Sequence, residues 1–348
     1  MRILMVNHEF TISGASQIFF QLARHLQQQG HHIALLPCNP QDGPMQQRYL
    51  ERGIEIAANI HTNDFDLAIA NTICTAPYVL QLAPHLPVLW YVHEAEVALR
   101  LILNNPGWHD AFAAAKAVVY NMPFQNDVFR SFTYKQDPGK FHVIPFGVEI
   151  DTSTIDRSTL PSKTNRPRLV QVGTIEPRKR PGDVIRAVAN CPQDIECVLA
   201  GRLVHLDDGA RALVQANPDR YRIVEDATDG QILAWLESAD MVSLASASET
   251  QGLAAYEAAL LARPLILTDL LCYRGVFSHG VNCLMAPVGA VDMLSLAMSN
   301  LAASPELRRR LGLQAQQSAR RYTRASFFSR FDQVIADTRS TSLPSMSA

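Results

Sequence analysis

The stretch Ser246-Ala247-Ser248-Glu249-Thr250-Gln251-Gly252-Leu253-Ala254-Ala255-Tyr256-Glu257, continuing into Ala258 to Ile266, sets two carboxylates eight positions apart around one glycine. Eight residues of unbroken helix rotate by about 80° beyond two full turns, so Glu249 and Glu257 share a face only if one of them leaves the helix. Gly252 permits a tight turn there, and the apolar run from Leu253 to Leu261 reads as a helix with Glu257 in its early turns, near the positive end of the dipole. One pocket at a helix N-terminus would then hold both acids. Such a pocket suits a polyhydroxylated, phosphate-bearing ligand, with free amides toward phosphate and carboxylates accepting from sugar hydroxyls. Spacing alone leaves a second reading open: two surface acids that compensate the helix dipole.

The rest of the chain narrows the choice. Its 348 residues suffice for two domains with separate cores, and an apolar fraction of 47% is that of a globular protein. The formal net charge of -2 argues against a general nucleic-acid binder, which needs a broad basic face. Cys38, Cys74, Cys191, Cys197, Cys272 and Cys283 show neither a C-x-x-C pair nor a Cys/His ligand spacing and read as reduced core residues. The opening Met1-Arg-Ile-Leu-Met-Val-Asn-His-Glu9 has too short an apolar run for a signal peptide or an anchor, so the expected location is cytoplasmic.

Short apolar runs alternate with helical periodicity along both halves. Ile3–Val6, Ile33–Leu36, Leu67–Ala70, Val88–Val92, Ala117–Tyr120 and Phe141–Ile144 read as strands of one parallel sheet covered on both faces. Leu169–Val172, Glu196–Ala200, Tyr221–Val224, Met241–Leu244 and Pro264–Leu267 repeat the pattern. The first helix is expected over Ile18–Leu26, after a polar loop holding Gly14. The expected division is an N-terminal domain over 1–150, a polar, proline-marked linker over 151–168 and a C-terminal domain over 169–325. A terminal helix over 326–338 would pack back on the first domain, followed by a flexible tail over 339–348. The segments Pro305–Tyr322 and Ser326–Thr338 read as helices rich in arginine (Arg308, Arg309, Arg310, Arg320, Arg321, Arg324), either a solvated face or a contact to the inner face of an anionic membrane.

Val172-Gly-Thr-Ile-Glu-Pro-Arg-Lys179, Ser246–Glu257 and Val143-Ile-Pro-Phe-Gly-Val148 resemble the retaining nucleotide-sugar glycosyltransferases of glycosyltransferase family 4 (group 1), over nearly the whole length. The resemblance implies a GT-B fold, α/β, with two Rossmann-like doubly wound parallel-sheet domains facing across a cleft. It places a nucleotide diphosphate sugar, UDP- or GDP-linked, on the C-terminal domain and a glycan or lipid-linked acceptor on the N-terminal one. By the match, Lys179 meets the donor diphosphate with Arg178 beside it, offsetting charge on the leaving nucleotide. Glu249 lies near the donor sugar, Glu257 accepts from ribose hydroxyls, and the backbone at Gln251, Gly252 and Leu253 borders sugar and phosphate. Thr174 stands where the family often has a phosphate arginine, and Arg180 where a glycine is frequent. The family's common Glu-Gly-Phe-Gly is Glu-Thr-Gln-Gly here, which would line the sugar pocket with polar side chains.

Base recognition is expected from backbone groups between Val224 and Ala227. In the N-terminal domain Gly14 matches a glycine that allows close approach to the diphosphate, without a P-loop or a G-x-G-x-x-G fingerprint. His93 matches a histidine placed over the reacting sugar, and Glu94 and Glu96 could contact acceptor hydroxyls. Asp64-Phe-Asp66 resembles a metal-binding D-x-D but leads directly into a strand and reads as turn acids. No cofactor, no metal and no nucleic acid are expected. The expected activity is retaining sugar transfer, of hexosyltransferase type, in cell-surface polysaccharide or glycolipid synthesis. A nucleotide-sugar epimerase and a non-catalytic nucleotide-sugar-binding subunit remain the alternatives.

Overall fold

The computed structural model describes residues 1–39, 41–57, 60–162 and 164–340. The chain divides into two compact units, Met1–Gly147 with the segment from Arg324 onward, and Val148–Thr323.

Unit 1 carries β1 (Arg2–Asn7), β2 (His32–Pro37), β3 (Glu55–Ile56), β4 (Leu67–Asn71), β5 (Val88–Val92), β6 (Ala117–Tyr120) and β7 (Phe141–Val143). They pair in parallel in the order β3-β2-β1-β4-β5-β6-β7. Unit 2 carries β8 (Arg168–Val172), β9 (Glu196–Ala200), β10 (Tyr221–Val224), β11 (Met241–Leu244), β12 (Leu265–Thr268) and β13 (Leu284–Ala286), also parallel, in the order β10-β9-β8-β11-β12-β13. Each unit is thus a Rossmann-like, doubly wound α/β domain. Central strands such as β4, β5 and β11 are buried along their whole length, because helices cover both sheet faces.

Strand order reverses beside the first strand of each unit, between β1 and β4 and between β8 and β11. At such switch points the helices diverge, and a crevice opens beyond the carboxyl ends of the strands. Asn7, Asn71 and His93 follow from this edge in unit 1, as do Gly173 and Ser246 in unit 2.

Several boundaries differ from the sequence-based expectation. β3 and β13, edge strands of two and three residues, were not anticipated. The first helix spans Gly14–Gln28, because the Ser13 hydroxyl accepts from the Ser16 N–H at 3.2 Å and starts it before the apolar period begins. Gly14 is therefore the first residue of a helix and not part of the loop. The segment expected as a linker over 151–168 is tied into unit 2: the Asp156 N–H donates to the Gly230 carbonyl at 3.1 Å, and Arg157 pairs with Glu237 at 2.6 Å. The helix expected over Pro305–Tyr322 ends at Ala319, and the last one spans Arg324–Ser340. That last helix belongs to unit 1, where its Arg330 donates to the Val143 carbonyl at 2.6 Å. The expected tail lies, from 341 to 348, outside the described residues. Asp66 accepts from the Arg2 N–H at 2.8 Å, a turn role that explains the D-x-D pattern. Among the described residues no helix is long and apolar enough to cross a membrane.

Helix Leu253–Leu260, which follows the loop of the two acids, is held from behind by helix Pro305–Ala319. Gln316 donates to the Leu260 carbonyl at 2.6 Å, and a Cβ added at Gly312 would stand 2.1 Å from the Ala262 carbonyl oxygen. Only glycine allows this approach. Gly312→Ala is expected to lower stability by about 1–3 kcal/mol, the range for overpacking. Urea unfolding measures it, and an unchanged midpoint would show that the two helices can slide apart freely.

Candidate functional site

In unit 2, β8 runs into Gly173 at φ +118° and then a single 3-10 turn, Pro177–Lys179. Two hydrogen bonds to its carbonyls hold this turn, one from the side chain of β8 residue Gln171 and one from the loop after β11. Gln171 donates to the Lys179 carbonyl at 2.9 Å, and the Ala247 N–H donates to the Arg178 carbonyl at 2.8 Å. The side chains then converge on one carboxylate. Lys179 Nζ pairs with Glu249 Oε1, Ser246 Oγ donates to the same oxygen at 2.7 Å, and Arg178 Nη1 stands 3.6 Å from Oε2. Arg178 also donates to the Ser248 carbonyl at 3.0 Å and pairs with Glu176 at 2.8 Å. Lys179 and Glu249 are 17% and 10% exposed in their side chains, so the pair is largely withdrawn from solvent and needs each partner to offset the other's desolvation.

Gly252 at φ +72° turns the chain from Glu249 into helix Leu253–Leu260. A Cβ there would lie 2.6 Å from the Tyr273 hydroxyl, which leaves glycine as the residue that fits. No side chain caps this helix, and its first turn contains no acid, so neither feature offsets the positive end of its dipole. Glu257 sits half-buried on the same helix. Gln251, expected to line a sugar pocket, is only 4% exposed and packs into the unit. Thr174 is half-buried after Gly173, with no cation at its position. Val224 ends β10, and its carbonyl accepts from the Gly201 N–H at 2.8 Å, while Ala227 is half-buried beyond it.

In unit 1 the polar residues gather where β1, β4, β5 and β6 end. Asn71 donates to Asn7 at 2.8 Å inside the core edge. Thr72 follows at φ +74°, an uncommon region for a β-branched residue, held there because its carbonyl accepts from Trp90 Nε1 at 2.9 Å and Thr75 Oγ1 at 2.8 Å. His93 is 7% exposed, lies 3.9 Å from the Tyr91 ring between centroids, and has its Nδ1 3.3 Å from the Asn121 amide nitrogen. Gln125 fixes this corner: its oxygen accepts from the Asn121 and Met122 N–H groups, and its nitrogen donates to the Val92 and Glu94 carbonyls. Glu94 accepts from the Ile73 N–H at 3.0 Å, and Glu96 is exposed at the first position of helix Glu96–Asn104.

Burial dominates the titration of this corner. It pushes the His93 imidazole down to about 3, with His8 adding a smaller repulsion, so the ring is neutral at physiological pH. It pushes the Glu94 carboxyl up to about 7, against the N–H groups of Ile73, Glu94 and His93, which favour the charged form. Gly14, at the start of helix Gly14–Gln28, has open space where a Cβ would stand, so no close approach within the protein requires a glycine there.

Four buried polar atoms at this edge have no hydrogen-bond partner among the described residues: His8 Nδ1, Asn71 Oδ1, Thr72 Oγ1 and His93 Nε2. Such atoms are few in folded proteins and call for a ligand or ordered water. His8, Asn71, Thr72, Asn121 and Gln125 were missed by sequence reasoning, as was the role of Ser246. A usable signal existed, since Asn7-His8, Asn71-Thr72 and Asn121 are the first polar residues after buried apolar runs. Among the described residues no group of three or more His, Cys, Asp or Glu side chains could hold a metal ion.

Comparison with known proteins identifies the family and the fold. The family of group 1 glycosyl transferases matches residues 152–318, and glycosyl-transferase family 4 matches residues 1–100. A D-inositol 3-phosphate glycosyltransferase of Xylanimonas cellulosilytica is 24% identical over 209 residues, 54% of this chain and 49% of that protein. One of the same name from Jonesia denitrificans is 24% identical over 210 residues, 55% of this chain and 50% of that protein. The matched regions span about half of these curated relatives. Among solved structures, Anabaena HepE in complex with UDP and glucose superposes with a TM-score of 0.80 at 17% identity, over 97% of this chain and all of that one. Sucrose-phosphate synthase from Thermosynechococcus elongatus superposes with a TM-score of 0.76 at 17% identity, over 98% and 100%.

The shifted groups make a pH prediction. Because the folded pKa of Glu94 lies above its ordinary 4.5, its contribution to stability is full at low pH and is lost as pH rises through about 7. His93, depressed from 6.5, acts oppositely: it costs stability as pH falls below 6.5 toward 3. Glu94→Gln, which cannot ionise, is expected to gain stability over the parent at pH 8 and little at pH 4.5. His93→Asn is expected to flatten the acid limb. Urea unfolding at pH 4.5, 6 and 8 reads both, and a Glu94→Gln difference independent of pH would contradict burial of that carboxyl.

Proposed function

Because the chain belongs to the GT-B glycosyltransferases of group 1, family 4 type, we propose that it transfers a hexosyl group with retention from a nucleotide diphosphate sugar, UDP- or GDP-linked, to a glycan or lipid-linked hydroxyl. Unit 2 takes the donor and unit 1 the acceptor. The observation that carries this reading is the convergence of Lys179 and Arg178 on Glu249 beside an uncapped helix N-terminus at a switch point. The donor's diphosphate competes with Glu249 for the two cations, and the amides leading helix Leu253–Leu260 add partial positive charge. As the bond from the sugar carbon to the leaving phosphate breaks, negative charge grows on that phosphate, so the cations contribute most in the transition state. The acceptor hydroxyl forms the new bond on the same face and passes its proton to the departing phosphate oxygen. Glu249, freed from Lys179, accepts from a sugar hydroxyl, and Glu257 from the ribose.

His93 acts in this scheme as a neutral hydrogen-bonding group, since its depressed pKa rules out an imidazolium at neutral pH. No metal is assigned a part. A cytoplasmic location, with arginines of the last helices touching an anionic membrane face, belongs to the same reading and would place the enzyme near lipid-linked acceptors.

Thermal unfolding with UDP, GDP, dTDP and ADP tests the donor. At a hundred times its dissociation constant a ligand stabilises by about 2.7 kcal/mol, a rise of roughly 5–10 °C for units of this size. A rise confined to one base identifies the donor class, and no rise with any of them contradicts the proposal. Glu249→Gln is expected to lower sugar transfer by about 100-fold or more while nucleoside diphosphate affinity is kept or tightened, because the cations lose their internal competitor. Lys179→Ala is expected to weaken both. Isothermal titration beside single-turnover transfer separates the two effects; weaker nucleotide binding in Glu249→Gln would contradict the competition.

A further inference from the structure

Resting on the proposal that unit 1 receives the acceptor, we infer that the accepting ring is an uncharged polyol, an unphosphorylated sugar or cyclitol, held by His8, Asn71, Thr72, His93 and Glu94. The unpartnered atoms at this edge define the first half of the argument. Asn71 Oδ1 accepts only, while Thr72 Oγ1, His8 Nδ1 and His93 Nε2 can each donate or accept, and all four are buried without partners among the described residues. Vicinal hydroxyls, which both donate and accept at close spacing, complement such a set, with the Glu94 carboxylate as a further acceptor. Thr72 and His93 are 1% and 7% exposed, so their polar atoms are withdrawn from bulk solvent.

Charge supplies the second half. The segments after the seven strands, 8–13, 38–43, 57–61, 72–75, 93–96, 121–125 and 144–147, contain no lysine or arginine, but hold Glu9, Asp42, Glu94 and Glu96. Burial pushes His8 below its usual range and His93 to about 3, so neither ring offers a positive charge at neutral pH. Of the helices that begin at this edge, the two longest are unfavourable to phosphate: the Ser13 side chain caps helix Gly14–Gln28, and Glu96 places a carboxylate in the first turn of helix Glu96–Asn104, while the uncapped helices Pro44–Leu50 and Ala76–Leu82 have only seven residues each. Unit 2 is the opposite, with Arg178, Lys179, Arg180 and Arg202 after β8 and β9. The diphosphate thus has its cations in one unit, and the other is arranged for hydroxyls. The acceptor differs in charge from the D-inositol 3-phosphate for which the curated relatives are named.

The test uses the full chain with isotope-labelled histidine, its ring signals assigned with His8→Gln and His93→Asn. Matched probes are titrated at equal concentration: myo-inositol against myo-inositol 3-phosphate, and methyl α-D-glucopyranoside against glucose 6-phosphate. Neutral members are expected to shift the His8 and His93 signals at least ten times more than phosphorylated ones. An equal or larger shift with the phosphorylated member, or no shift with any probe, overturns the inference. Glu94→Gln, and separately the surface change Glu9→Gln, are expected to raise the response to the phosphorylated probes; an unchanged response in both would also overturn it. UDP-induced thermal stabilisation of the same sample reports on the donor reading independently, so loss of one result without the other identifies which proposal has failed.

Discussion

The described strands of both sheets run parallel, so the chain must cross back between them, mostly through helices, and the strands of each sheet end at one edge. This constraint explains why residues far apart in sequence meet. Lys179 after β8 and Glu249 after β11 are seventy positions apart, yet the two strands are neighbours and their loops share one rim. Asn7 and Asn71 meet across β1 and β4 for the same reason. The sheets are kept parallel by apolar strands that need cover on both faces, and that cover leaves only the carboxyl edge for chemistry.

The two edges use this position differently. Unit 2 places two cations around a carboxylate that compensates them, which keeps the rim assembled without leaving a bare charge withdrawn from solvent. Unit 1 withholds charge: burial lowers the pKa of His8 and His93 and raises that of Glu94, while Trp90 holds the Thr72 carbonyl, Asn121 the His93 ring and Gln125 the Glu94 carbonyl. On the proposed reading, the first edge receives an anion and the second hydroxyl groups.

Much of the fold was legible because buried parallel strands are nearly uninterrupted apolar runs. Val88–Val92, Ala117–Tyr120, Glu196–Ala200, Tyr221–Val224 and Met241–Leu244 have the same limits in the structure as in the sequence reading. Edge strands β3 and β13 were illegible because so short a strand leaves no period to detect. The turn at Gly252 and the helix after it were legible from one glycine before an apolar run. The pairing of Lys179 with Glu249 was not, since each residue alone could have been a solvated surface charge.

The sequence by itself determined the two-domain α/β architecture, the loop and helix around Glu249 and Glu257, and the identity of the residues that carry charge, because these depend on local periodicity and residue chemistry. Tertiary structure alone decided that Arg178 and Lys179 face Glu249, that His93 is neutral and that Asn71 and Thr72 stand beside it with unpartnered atoms. Burial and partnership arise from elements distant in sequence, and a side chain's desolvation has no counterpart in its neighbours along the chain.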